Sequence, residues 1–458
     1  MKFSEAATRF NAREVQHLQF EKQQLTNFSG LIVFHRLFLA LNLKDRLRGC
    51  FRHLAVTPIF GFARIVLLLI VHLLLGYREL RHVRYYANDP MVQRVVGLRR
   101  LPDAATLSRA LSGVDQAGIG QLECLIQDLV FERLRALELV RITLDFDGSV
   151  ISTSRHAEGS AVGFNRKKKG QRSYYPLFCT IAQTGQVLAR HHRPGNVHDS
   201  NGAMAFILAC IDRVRAQLPG IQVEVRMDSA FFSEEIVQAL DEAGIEYTIS
   251  VPFERLPELK QLIEQRRSWK RLNHHHATFQ CRWKPKSWTH THRFLFVRQR
   301  VKLQRKGPLQ LELFVPQVEG YEFKVIVTNK SLKPVALLGF HNGRGAQEGL
   351  FAELKSHSHL DYVPARTSLG NQLYLLCAIL AHNLTRELQM RTDPPTRSTY
   401  PKRPALWDFR RLDTLRHTLL HLAGRLIRPQ GRLTLSMNAN STIQNELLHY
   451  LEGLSDAA

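Results

Sequence analysis

The 458-residue chain reads as an α/β protein: a mixed sheet flanked by helices, interrupted by an antiparallel β insertion, preceded by an all-α N-terminal domain and followed by a helical C-terminal region. Three observations carry that reading. The spacing of apolar residues changes to a period of two at residue 139. Residues 221–251 run strand, helix, strand. Residues 253–320 then turn rich in Arg, Lys, His and Trp, with alternating strand patterns among them.

Size and charge bound the function. The length allows two or three domains with a full core. Lys plus Arg number 63 against 40 Asp plus Glu, a formal charge of +23. Such an excess points to a polyanion partner, of which nucleic acid is the commonest, bound in a salt-sensitive way. The six cysteines (Cys50, Cys124, Cys179, Cys210, Cys281, Cys377) stand far apart, which excludes a CxxC zinc or redox pair. They read as thiols of a reducing compartment, and a cytoplasmic, nucleoid-associated protein is expected. The start, MKFSEAATRF, has no apolar stretch of the kind a signal peptide needs. The apolar run IVLLLIVHLLL (65–75) is too short to span a bilayer and contains His72, so a buried helix is expected and no membrane contact.

Taken in order, residues 1–138 form the helical domain. LPDAATLSRAL (101–111) starts a helix at Asp103, a good N-cap after Pro102. Arg99, Arg100 and Arg109 keep this region positive, so it reads as a DNA-binding domain or as a packing and dimerisation domain. In LVRITLDFDGSV (139–150), Ile142, Leu144 and Phe146 alternate with Thr143, Asp145 and Asp147, placing acids at the end of a strand. The RKKKGQR loop (166–172) supplies Arg166, Lys167, Lys168, Lys169 and Arg172, either for phosphate or as a solvated turn. SYYPLFCTIAQ and QVLARHHR are a hairpin turning at Thr184-Gly185, and a helix follows from about 200 to 218. The next strand ends in Asp228, and Ser233 caps the helix after it. These elements make one α/β core in two parts, 139–252 and 329–392, around a β insertion at 253–328. In the insertion RFLFVRQRV, LQLELFVPQ and EFKVIVTN are the strands. NQLYLLCAILAHNLTRELQ (371–389) is an apolar helix able to cover the sheet, and 393–458 is a basic linker with a helical C-terminal region.

The stretch FHNGRGAQEGLFAELK (340–355) carries the chemistry. On one continuous helix, with Glu348 at zero, Arg344 falls at about −40°, Lys355 at about −20° and His341 at about +20°. Glu353 falls at about +140°, on the far side. One carboxylate framed by cations suits a metal ion and a phosphate, while an exposed amphipathic helix with incidental charges is the other reading. Ligands of open α/β sheets gather at the carboxyl ends of strands, where Asp147 and Asp228 lie. These two and Glu348 make a carboxylate trio of the hard-oxygen kind that suits two Mg²⁺ or Mn²⁺ ions. Arg344 and Lys355 would contact the DNA backbone.

The order strand–Asp, hairpin, helix, strand–Asp, β insertion, helix–Glu resembles the DDE transposases of bacterial insertion sequences. The branch with a β insertion carries Tyr-x2-Arg-x3-Glu-x6-Lys, and His341, Arg344, Glu348 and Lys355 stand at those spacings, with His341 in place of the tyrosine. Asp147-Gly148-Ser149 is similar to the family's Asp-x-Ser, and MDSAF (227–231) to its second acid motif. The likeness covers roughly residues 100–390. It implies a ribonuclease-H-like core, binding of terminal inverted repeats, and metal-dependent cleavage and strand transfer. It makes Asp147, Asp228 and Glu348 the catalytic metal ligands, and paired cutting of two ends implies at least a homodimer in the active complex. Asp145, on the same strand face, is the rival first ligand. In the resembling branch the insertion can hold a base swung out of the duplex, for which Trp288 and Trp283 are candidates, with packing as the other reading. The His274–His276 run with Cys281, His290 and His292 fits no zinc-finger spacing and reads as a basic loop. A structure-selective nuclease on the same core and an inactive DNA-binding relative remain as the other readings.

Overall fold

The computed structural model describes residues 20–455 apart from 22, 55–59, 154–155, 164, 166–167, 198–200, 302–319 and 398–403. After a two-residue strand β1 (Leu25–Thr26), the first part is helical: Leu31–Ala40, Leu43–Cys50, Phe62–Leu74, Pro90–Val96, Ala104–Ser112 and Gln116–Ala136. The apolar run lies in Phe62–Leu74, where every residue from Ile65 to Leu74 is buried. His72 is tolerated there because its Nδ1 shares a 2.5 Å hydrogen bond with the Tyr86 hydroxyl. Asp103 caps Ala104–Ser112 by accepting from the Thr106 N–H at 2.8 Å. Among the described residues no helix is long and apolar enough to cross a membrane.

The remaining strands are β2 (Arg141–Gly148), β3 (Ile151–Ser152), β4 (Ala161–Val162), β5 (Arg172–Tyr174), β6 (Leu177–Ile181), β7 (Gln186–His191), β8 (Gln222–Met227), β9 (Glu246–Ser250), β10 (Lys270–Arg271), β11 (His276–Trp283), β12 (His292–Arg300), β13 (Tyr321–Thr328), β14 (Gly424–Ile427) and β15 (Thr434–Met437). Nine of them form one mixed sheet in the order β10-β11-β12-β13-β9-β8-β2-β6-β7. β2, β8 and β9 run parallel, while β6 and β7 form the expected antiparallel hairpin beside β2. The helices Ala203–Gln217 and Glu234–Glu242 make the crossovers, the second capped by Ser233 through the Ile236 N–H.

One expectation needs correction, and the strands of 253–328 need placing. β13 pairs antiparallel with β9, so β10–β13 extend the central sheet. The LQLELFVPQ strand lies outside the described residues. The C-terminal region is not purely helical. β14 pairs with β1 and β15 before the helix Ser441–Ser455, returning the chain to its beginning.

The two faces of the central strands differ. Ile142, Leu144 and Phe146 of β2 join Val223, Val225 and Met227 of β8 in an apolar core under the two crossover helices. The opposite face is polar yet buried: Thr143 and Asp145 on β2, Glu224 and Arg226 on β8. Pro334–Asn342 and Gly345–Ser356 cover it through hydrogen bonds of Phe340, His341 and Gln347. The long helix Ser368–Thr392 packs against β7, but mostly against Phe62–Leu74, Gln116–Ala136 and Ser441–Ser455. It thereby joins the N-terminal helices and the C-terminal helix in one core.

Candidate active site

The site grows out of that polar face. Parallel register pairs Thr143 with Glu224 and Asp145 with Arg226. Each pair is complementary. The Thr143 hydroxyl donates to Glu224 at 2.5 Å. Arg226 donates through Nε and Nη2 to the two oxygens of Asp145 at 2.6 and 2.7 Å. The paired ladder ends with Phe146 beside Met227; Asp147 follows on β2, and Asp228 follows β8, where it caps a short turn in extended conformation (φ −84°, ψ −175°). Two acids thus follow the last paired residues at the carboxyl ends of neighbouring parallel strands. The paired rungs below them are complementary, whereas these two residues are both acids. Asp147 accepts from the Gly148 N–H at 2.8 Å and Asp228 from the Ala230 N–H at 3.0 Å.

Arg344 answers that charge. Its guanidinium is 3.6 Å from an Asp147 oxygen and 4.0 Å from a Glu348 oxygen, so it bridges strand end and helix. The Arg344 side chain is mostly shielded, whereas that of Glu348 is 74% exposed. Lys355 reaches the same corner, with Nζ donating to the Val150 carbonyl at 3.0 Å. Among the described residues no group of three or more His, Cys, Asp or Glu side chains stands close enough to hold a metal ion. The aspartates have the hard oxygens that a divalent ion needs. The third acid is turned towards Arg344 rather than joined to them.

Several expected site residues have other roles. The stretch 340–355 is not one helix: Pro334–Asn342 and Gly345–Ser356 are separate. Arg344, Ala346 and Gln347 donate to the carbonyls three residues earlier, a tightened turn of three residues per turn rather than 3.6. That winding carries His341 away from the polar stripe and buries it. Its ring nitrogens meet the hydroxyls of Ser250 at 2.8 Å and Thr248 at 3.0 Å. Burial first, and then the cations Lys324, Arg344 and Arg226, hold its pKa well below the usual histidine value. It is neutral and cannot contact DNA as a surface group. Asp145, the rival first ligand, is buried in its fork with Arg226, so an ion there would have to displace a buried guanidinium. Trp288 is buried and stacked on Phe232 at 4.8 Å, and Trp283 meets Phe294 edge-on at 5.1 Å, both as packing groups. Arg172 donates to the Ser160 hydroxyl and carbonyl within the small β3-β5-β4 sheet, and so is a structural cation. Lys168 and Lys169 are exposed, while Arg166 and Lys167 lie outside the described residues. Glu353 does face away, pairing with buried Arg386.

The structure adds two residues that sequence reasoning missed. Lys324 on β13 donates to Asn342 Oδ1 at 2.9 Å and feels both Arg344 and Glu348. Burial, with Arg344 beside it, lowers its pKa, and Glu348 opposes that shift. A lysine inside the apolar alternation of EFKVIVT was the available signal. Gln347 is buried and donates from Nε2 to the Asp145 carbonyl and the Thr180 hydroxyl, both at 3.1 Å.

Residues 8–458 match a family model described as "Transposase DDE domain group 1". No curated protein matches the chain. Among solved structures, a piggyBac transposase in a synaptic complex with hairpin DNA, determined by cryo-electron microscopy, is similar at 9% identity with a TM-score of 0.45. The match covers 94% of this chain and 85% of that one.

Proposed function

The chain belongs to the group 1 family of transposase DDE domains, and from that premise we propose that it binds the terminal inverted repeats of a bacterial insertion sequence, cuts the DNA there and joins the freed ends to a target. The observation that carries the proposal is that Asp147 and Asp228 follow the last paired residues of the neighbouring strands β2 and β8, with Arg344 linking Asp147 to Glu348. Asp228 also caps a short turn, but a second acid at the neighbouring strand end in a protein of formal charge +23 has a catalytic use if the two hold cations beside a phosphodiester.

The core is ribonuclease-H-like in this reading, with its acids on β2, β8 and the helix Gly345–Ser356. Asp147, Asp228 and Glu348 would hold two Mg²⁺ or Mn²⁺ ions, which when bound activate the attacking oxygen and steady the leaving one. Glu348 joins the aspartates by a turn of its exposed side chain. The first step adds a water oxygen to phosphorus and releases a 3′-OH as the P–O bond breaks. The second adds that 3′-oxygen to the phosphorus of another phosphodiester, whose own P–O3′ bond breaks and releases a 3′-OH in the strand attacked. Arg344, Lys324 and Lys355 hold phosphate oxygens in line, and exposed Lys168 and Lys169 grip the flanking backbone. Cutting of both ends is done by a homodimer on the nucleoid in the cytoplasm.

The test is gel shift and cleavage on terminal-repeat DNA, with and without Mg²⁺. Cleavage that needs Mg²⁺ and is lost in Asp147→Ala, Asp228→Ala and Glu348→Ala, with binding kept, is the expected result. Binding without cutting points to a DNA-binding protein only, and cutting of unrelated branched DNA to a structure-selective nuclease.

A further inference from the structure

The Asp145–Arg226 pair is costly and needs a reason. Buried ion pairs often stabilise no better than apolar residues of the same size, because both charges lose their water. Here both side chains are nearly inaccessible, at 4% and 1% exposure. The pair's other contacts supply the reason. The third arm of Arg226, Nη1, donates to the Phe340 carbonyl at 2.9 Å, and the guanidinium lies over the Phe340 ring at 5.2 Å. Phe340 ends in the tightened turn that leads to Arg344. Gln347, the neighbour of Glu348, donates to the Asp145 carbonyl. Gly343 is held against the pair: a Cβ there would fall 2.4 Å from Arg226 Nη1. The φ of Gly343 is −58°, an ordinary helical value, so glycine is needed for this approach and not for backbone freedom.

We propose that Asp145 and Arg226 form a clamp that grips the turn between the two helices and thereby sets the reach of Arg344 and Glu348 towards Asp147 and Asp228. The inference rests on the catalytic reading of Glu348. Both are positioning residues: they touch neither substrate nor ion, and act through the turn. The Asp145–Arg226 rung thus tunes the acids beyond it, and the Asp-x-Asp on β2 divides its labour between a structural acid and a reactive one.

Two variants test this. Gly343→Ala keeps every charge and raises helix propensity, but its methyl group pushes Arg226 off the Phe340 carbonyl. Arg226→Lys keeps the charge and loses the fork. Each is compared with the parent full-length protein, at a temperature where circular dichroism shows it folded, by three readouts: amide hydrogen exchange over 343–350, affinity for end DNA, and the Mg²⁺ dependence of cleavage. Expected are faster exchange over 343–350, unchanged end affinity, a higher Mg²⁺ midpoint and cleavage slowed about 100-fold, the scale of a displacement near 1 Å. A merely structural pair would lower the melting temperature without moving the Mg²⁺ midpoint. Parental exchange over 343–350 in a folded Gly343→Ala overturns the clamp. Faster exchange with parental cleavage and a parental Mg²⁺ midpoint overturns its positioning role. If the parent itself cuts no DNA with Mg²⁺ or Mn²⁺, the catalytic reading falls, and the exchange result alone then decides whether the clamp exists.

Discussion

Glu348 and Glu353 stand five residues apart on one helix and face opposite demands. Glu353 is buried against Arg386 and also accepts from the Leu412 N–H. Removing it strands a buried guanidinium, so Glu353→Ala is expected to cost about 3–5 kcal/mol in urea unfolding. Glu348→Ala, on an exposed side chain, is expected to stay within about 0.5 kcal/mol of the parent while abolishing cleavage. Equal losses of stability in the two would contradict the assignment. His341→Ala leaves the Ser250 and Thr248 hydroxyls short of a partner, at about 1–3 kcal/mol for each group left unsatisfied. Its end-DNA affinity is expected to match the parent's, since the imidazole is buried and neutral. A DNA-binding defect in a stably folded His341→Ala would put that side chain back at the interface.

At the scale of elements, local signals carried what they physically could. The alternation in β2, the Thr184-Gly185 hairpin, the strand ending at Asp228 and the Ser233 cap are set by near neighbours, and all are found where the pattern places them. The extension of the sheet was not legible, because β13 meets β9 across about seventy intervening residues and nothing in either strand names the other. The pairing of β1 with β14 is hidden for the same reason. The broken helix at Gly343–Arg344 misled the angular reading: a 3.6-residue period was projected through a segment wound more tightly, which put His341 on the wrong side. The tryptophans were ambiguous in sequence because stacking on a base and stacking on Phe232 ask for the same ring. Trp288→Ala is expected to lose about 3–5 kcal/mol of stability with end-DNA affinity intact. A selective loss of DNA binding at parental stability would restore its role in base stacking.

For the whole molecule, charge and buried histidines set the working conditions. Burial holds His72 and His192 at about 3 and His382 at about 4, below the ordinary 6.5. The folded pKa values lie below the unfolded ones, so the unfolded chain takes up these protons first. Stability is therefore full above pH 6.5 and is lost as pH falls towards 4, at about 1.4 kcal/mol per pH unit for each histidine. A urea midpoint that stays flat from pH 6.5 to 4.5 would contradict this. Affinity for end DNA is expected to fall linearly on a log–log plot against salt. Lys168→Ala and Lys169→Ala should each flatten the slope by about one while weakening all sequences alike.

The central claim is that acids from two strands and a helix hold ions together beside DNA. Anomalous diffraction at the manganese edge, on crystals of the full chain with end DNA and Mn²⁺, tests it most directly. The account predicts manganese peaks coordinated by Asp147 and Asp228 with Glu348 swung in to join them and Arg344 moved to a phosphate. Manganese bound elsewhere, or Glu348 still turned to Arg344 with DNA and metal in place, would contradict it.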